Sequence, residues 1–124
     1  MKHVRTVLVV LACLMMTGSG AMDLLQPPDF TAQLAPLGVG PAVMTAIGVG
    51  KIAGVLAIAL TTFVATLPRW LREWAFAGFT INMCAAIVVH VASGDTAHAF
   101  NPIVPLLVVF AASVLDRKAL DAKG

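Results

Sequence analysis

The fold is decided by the apolar run from Pro41 to Leu67, which reads PAVMTAIGVGKIAGVLAIALTTFVATL. Its only charged residue is Lys51. A helix that crosses the hydrocarbon core of a bilayer needs about 20 predominantly apolar residues, and this run is longer than that. The stretch therefore predicts a transmembrane helix, around which the rest of the chain can be interpreted.

Three further apolar runs extend from Thr6 to Met22, from Trp74 to Ala92 and from Ala99 to Leu115. No segment shows the sustained alternation that the strands of a membrane barrel require. Each run is separated from the next by a polar or proline-containing segment, as expected for antiparallel helices with short connections. The sequence therefore predicts an all-α fold, a single domain of residues 1–124 built from four antiparallel transmembrane helices.

The composition excludes an ordinary soluble protein. Of the 124 residues, 60% are hydrophobic and only 11% are charged, whereas a soluble domain carries roughly 25% charged residues. The basic residues are spread over several short clusters instead of one exposed patch, so the sequence predicts no nucleic-acid partner. The predicted environment is a lipid bilayer.

Polar segments define the expected helix ends. Pro27 and Pro28 remove two amide donors and predict a loop that includes Asp23. The stretch from Leu34 to Pro41 is rich in glycine and proline and is interpreted as a re-entrant or interfacial piece. Basic residues around Pro68 predict a tight turn before the third helix, and Asp116 is expected to end the fourth.

The basic residues predict the orientation in the membrane. Four spans place seven of the eight on one side, and they are Lys2, Arg5, Arg69, Arg72, Arg117, Lys118 and Lys123. The opposite side carries acidic residues and no Lys or Arg. The positive-inside rule then predicts that both termini are cytoplasmic. A cleaved signal peptide ending near Met22 would also satisfy the rule, so charge alone leaves that alternative open.

Four short motifs together resemble the DoxX-like family of small bacterial membrane proteins with four helices. The motifs are Leu37-Gly38-Val39-Gly40-Pro41, Gly48-Val49-Gly50-Lys51-Ile52-Ala53-Gly54, Arg72-Glu73-Trp74-Ala75-Phe76-Ala77-Gly78-Phe79, and His90 followed by Ser93-Gly94-Asp95. The resemblance implies a retained first helix and a place in the bacterial inner membrane. Some members are associated with thiosulfate and quinone oxidoreduction, which implies an accessory role in a membrane redox complex.

Lys51 is the sharpest candidate for a functional residue. It lies about 15 Å along the helix from Pro41, where a lysine costs about 2.5–3.5 kcal/mol on insertion scales. Gly48, Gly50 and Gly54 leave space beside it for a neighbouring helix, a ligand or water. Alternatively, its amine reaches the interface or a structural carboxylate.

Three other residues are expected in the same half of the bilayer. Asn82 and His90 lie about 80° apart around the third helix and can share a broad face. Asp95 follows a plausible turn, from which it either reaches inward or caps the fourth helix. The candidate ligand-binding residues are therefore Lys51, His90, Asn82 and Asp95. Cys13 and Cys84 form no metal-binding spacing and are expected to be buried and inert.

No catalytic motif accompanies these residues: there is no P-loop, GxGxxG, HExxH or nucleophile elbow. The sequence thus assigns no reaction and no cofactor. Three functions are compatible with it. The first is a redox accessory subunit that binds a quinone-like or other lipophilic molecule, alone or as a homo-oligomer. The second is a small transporter in which Lys51 attracts an anion, and the third is a structural protein without a ligand.

Overall fold

The computed structural model describes the whole chain, residues 1–124, and its regular secondary structure is entirely helical. The five α-helices are α1 (Lys2–Leu25), α2 (Pro28–Leu34), α3 (Pro41–Phe63), α4 (Arg69–Ala92) and α5 (Ile103–Asp121), and there are short 3-10 turns at Ala35–Leu37 and His98–Phe100. Four helices are long and apolar enough to cross a membrane: α1, α3, α4, and α5 with the 3-10 turn that precedes it. The predicted helical membrane bundle is confirmed.

The four long helices form a ring in which each packs against two others. α1 contacts α3 and α5, and α4 contacts the same two helices from the other side. Short connections make neighbours antiparallel, so both chain termini lie at one end of the bundle together with residues 64–68. We call this the terminal end. The opposite end, which carries α2 and residues 93–102, is called the α2 end.

Two helices extend beyond the apolar runs that predict them, because an acidic residue near each end has a partner inside the bundle. α1 continues past Met22 to Leu25, so Asp23 lies in the helix and is buried, not in a loop as expected. Gln26 follows α1 in a left-handed conformation (φ 49°) and precedes two prolines. Likewise, Asp116 is buried within α5 and does not end it.

Two connections also differ from the sequence interpretation. The basic segment after Pro68 is not a turn but the first turns of α4, which begins at Arg69. The prolines after α1 start a second helix, since Pro28 occupies the first turn of α2, where its missing amide proton costs nothing. The side-chain amide of Gln26 donates a hydrogen bond to the carbonyl of Pro41 at 3.0 Å, which links the end of α1 to the start of α3.

The tightly packed core occupies the terminal half of the bundle. Its buried members come from all four long helices and are Ala12, Met16, Ile58, Ala75, Phe76, Phe79, Met83, Val109 and Ala112. Large apolar side chains such as Leu56, Ile81 and Phe110 face outward, as expected where the surrounding solvent is lipid. Toward the α2 end the packing is looser, and this is where the cavity described below lies.

Candidate functional site

Glycines allow α1 and α3 to approach closely near the α2 end. A Cβ atom added to Gly48 would lie 2.8 Å from Leu24 Cγ and 3.0 Å from Asp23 Cβ. A Cβ added to Gly20 would lie 3.1 Å from Lys51 Cβ. Small residues at such a contact let helix backbones pack against each other in a membrane. The close approach brings side chains of α1 within reach of Lys51.

Lys51 is buried and paired. Its Nζ lies 2.7 Å from Asp23 Oδ2 and donates to Ser19 Oγ at 2.7 Å. The two charged side chains are 8% and 7% exposed. Lys51 therefore does not extend to the interface: the structural carboxylate that the sequence left as an alternative is Asp23. A lysine amine has three protons, so one is left for a further acceptor.

A cavity of about 570 Å³ opens beside this pair, within the size range of small-molecule sites. All four residues predicted to bind a ligand line it, namely Lys51, Asn82, His90 and Asp95. Side chains of α2 and the following 3-10 turn, including Phe30 and Leu37, cover it from the α2 end. Short side chains such as Ala86 and Pro105 leave the space open.

His90, Asp95 and His98 form a hydrogen-bonded cluster at the rim of the cavity. Gly94, with φ 77°, ends α4 in a left-handed conformation that glycine adopts readily, and the turn places Asp95 beside His90. One carboxylate oxygen of Asp95 lies 3.1 Å from His90 Nδ1 and the other lies 2.7 Å from His98 Nδ1. Asp95 thus joins two histidines and makes no cap for α5.

The hydrogen bonds at this rim affect the acidity of Asp95. The hydrogen bond with His98 is the largest cause, and with the weaker one from His90 it holds the pKa of the Asp95 carboxyl below its usual range, against the opposing effect of desolvation. Asp95 is therefore kept as a carboxylate facing the cavity. The second ring nitrogen of His90 is left for another partner.

The cysteines lie apart from this site. Cys13 is half-buried, and Cys84 is exposed on the outer surface of α4, so the expectation that both are buried is wrong for Cys84. Its outward position follows from its place on α4, two residues from Asn82 and almost opposite it around the helix. Neither thiol lines the cavity.

Asp23 and His98 also line the cavity, although neither was among the site residues predicted from the sequence. The signal for Asp23 was present, because Ser19 and Asp23 are one helical turn apart and Gly20 lies between them, but the adjacent prolines suggested a loop. His98 could have been predicted from its spacing, because residues three apart lie on the same side of a helical turn, and His98 is three residues after Asp95.

A second polar cluster, which sequence reasoning also missed, lies at the terminal end. Arg72 makes two bonds to the Asp116 carboxylate, at 2.5 and 2.9 Å, and Arg5 contacts the same carboxylate at 2.9 Å. Arg72 also donates to the carbonyl of Ile58 and to the hydroxyl of Thr62. This cluster joins all four long helices and does not line the cavity beside Lys51, so we assign it to structure.

Together, these features define a multi-pass α-helical membrane protein with a partly polar cavity at one end of the bundle. The chain belongs to the DoxX-like family, whose profile matches residues 7–112. The match includes most of α1, all of α3 and α4 and the first half of α5, so it reaches all four long helices. No curated protein and no solved structure matches the chain significantly.

Proposed function

We propose that this protein is an accessory subunit of a membrane redox system and that it binds a quinone-like molecule in the cavity at the α2 end. The observation that carries the proposal is the convergence of Lys51, Asn82 and His90 on one cavity of about 570 Å³ in a membrane-embedded bundle. Membership of the DoxX-like family supports the redox association.

The chemistry of the lining suits a ring that carries carbonyl groups. A quinone carbonyl accepts hydrogen bonds, and donors are available from the third amine proton of Lys51 and the amide of Asn82, and also from His90 when both nitrogens of its ring carry a proton. The apolar part of the ring would lie against side chains such as Val89 and Ile47, which also line the cavity. Few polar groups in a mainly apolar pocket are typical of small-molecule sites.

The pairing of Lys51 favours a second candidate, a structural or assembly protein without a ligand. A buried lysine that already has a carboxylate and a hydroxyl partner needs no ligand to be stable in the membrane. The same pairing weighs against anion transport, because Asp23 neutralises the charge that would attract the anion.

The deciding experiment is purification in native lipids followed by mass spectrometry of bound small molecules. Under the redox proposal we expect a quinone to copurify with the wild-type protein. Asn82→Leu should reduce the bound fraction, since losing one hydrogen bond of about 1.4 kcal/mol lowers affinity about tenfold. The control is Thr80→Val, which removes a polar group two residues away that bonds its own helix backbone and lies outside the cavity.

A second measurement addresses the redox association. With thiosulfate as the electron donor, native membrane vesicles that contain the wild-type protein should reduce quinone to quinol faster than vesicles that lack it. Vesicles that contain Asn82→Leu should reduce quinone as slowly as vesicles without the protein. If no quinone copurifies and the vesicles do not differ, the redox proposal is wrong and the structural candidate is favoured.

A further inference from the structure

A groove of about 220 Å³ runs between α3 and α4 on the outer surface of the bundle. Its sides include Gly50 and Gly78, and a Cβ atom added to either glycine would meet nothing within 4 Å. Ala75 and Phe79 lie along its floor, and Trp74 is at its far end. From Asn82 to Trp74 the groove follows α4 for about 12 Å, within the part of the helix that crosses the membrane.

The groove adjoins the cavity. Three residues line both of them, and they are Ile47, Lys51 and Asn82. The polar side chains of Lys51 and Asn82 thus lie at the junction, with the partly polar cavity on one side and the apolar groove on the other. Apart from these two shared side chains the groove is lined only by apolar residues and glycine, so the combined space has a partly polar end in the cavity and an apolar end in the groove.

We propose that the ligand is a tailed lipid whose headgroup occupies the cavity and whose hydrocarbon tail lies in the groove between α3 and α4. This inference rests on the proposed function and specifies the class of ligand. A headgroup held beside Asn82 would direct a tail into the groove, since the two spaces meet there. The tail would remain in contact with lipid throughout, so the ligand could enter from the membrane without crossing water.

Two quinones with the same headgroup test the inference: a dimethoxy-methyl-benzoquinone without a tail, and the same molecule with a decyl tail. Binding of each is measured to protein in lipid nanodiscs. Gly50→Leu and Gly78→Leu fill the groove with an apolar side chain and leave the cavity lining unchanged. Gly18→Leu is the matched control, because Gly18 also opens on free space but lies on α1 and lines neither the cavity nor the groove.

We expect the groove variants to lower the affinity for the decyl quinone about tenfold, the loss expected when a few methylene groups leave an apolar site. Affinity for the tail-less quinone should be unchanged in them, and Gly18→Leu should alter neither. Equal effects on both quinones, or no effect on the decyl compound, would overturn the inference and leave the proposed function standing. Failure of the wild-type protein to bind either quinone would overturn both.

Tryptophan fluorescence locates the tail independently. The chain has two tryptophans, so Trp70→Phe leaves Trp74 as the reporter at the end of the groove. A decyl quinone brominated at the tip of its tail should quench Trp74 more than the unbrominated compound, and Gly78→Leu should abolish the difference. Equal quenching by the two compounds in the Trp70→Phe protein would show that the tail does not occupy the groove. The same conclusion would follow if the wild-type protein forms dimers that Gly78→Leu disrupts while both quinones still bind, because the groove would then be a contact between two copies of the chain.

Discussion

The role assigned to Lys51 changes once its neighbours in the fold are known. Considered alone, a lysine deep in an apolar helix has an unfavourable free energy of insertion and suggests an unpaired charge that binds a ligand. In the fold it lies 2.7 Å from Asp23, and both side chains are almost fully buried. The free-energy cost of burying each charge is offset by its attraction to the other. Both residues must therefore be substituted together if an effect on function is to be separated from an effect on stability.

We therefore expect Lys51→Met alone to destabilise the protein by about 3–5 kcal/mol, because it leaves Asp23 buried without a partner. The double variant Lys51→Met/Asp23→Leu should recover most of this loss, since it removes both charges. Denaturant unfolding of the protein in detergent measures the difference. A single variant as stable as the wild type would mean that Asp23 is not held by Lys51.

Asp95 provides a prediction of pH dependence. Its hydrogen bond with His98 lowers the pKa of its carboxyl in the folded protein, whereas in the unfolded chain the pKa is about 3.9. The ionised form is thus favoured by folding, and this contribution to stability is fully present above about pH 4. It is lost as the pH falls through the lowered folded-state pKa.

Accordingly, the melting temperature of the wild-type protein should fall more steeply below about pH 4 than that of Asp95→Asn. Thermal unfolding measured from pH 7 to pH 2 gives both profiles. The control is Asp29→Asn, which removes a carboxylate from the first turn of α2. Parallel acid profiles for Asp95→Asn and the wild type would contradict the assigned hydrogen bonds.

At the scale of the helices, the cluster around Asp116 holds the terminal end together. Asp116 comes from α5, Arg72 from α4 and Arg5 from α1, and Arg72 also bonds the backbone of α3 at Ile58. One carboxylate thus serves two guanidinium groups in a buried position. Exposed pairs contribute little to stability, but removing one member of a buried cluster leaves uncompensated charge.

Asp116→Asn should therefore lower the free energy of unfolding by about 3–5 kcal/mol. Asp121→Asn is the matched control, since Asp121 also lies on α5 and pairs with an arginine, Arg69, but both side chains are exposed. Its loss should lower the free energy of unfolding far less, because solvent screens an exposed pair. Unfolding in the same detergent compares the two, and equal losses would contradict the structural role of the cluster.

At the scale of the whole molecule, the antiparallel ring places both termini at one end together with Arg69 and the α5 basic residues. We propose that this end faces the cytoplasm, because basic residues are retained there during insertion. A reporter that is active only outside the cytoplasm should then be active when fused at Asp29 and inactive when fused at Arg72. The reverse pattern would place the cavity on the cytoplasmic side.

The sequence by itself determined the class of fold. Long apolar runs leave a helix as the only backbone arrangement that satisfies its own hydrogen bonds in lipid, and their number and the family motifs predicted four helices. It also predicted Lys51, Asn82 and His90 as candidate site residues, because polar residues in apolar runs are conspicuous, and Asp95 because it follows a turn close to His90. These are local properties that depend on composition and spacing along a single helix.

Only the tertiary structure decided which charges meet and where space is left. The pairing of Lys51 with Asp23 depends on the close approach of α1 and α3 at Gly20 and Gly48, and the pairing of Arg72 with Asp116 depends on the order of helices in the ring. Helix ends near Asp23 and Asp116 were mispredicted for the same reason: a buried partner stabilises a charge that would otherwise end a membrane helix. The cavity likewise exists only because side chains from several helices fail to fill the α2 end.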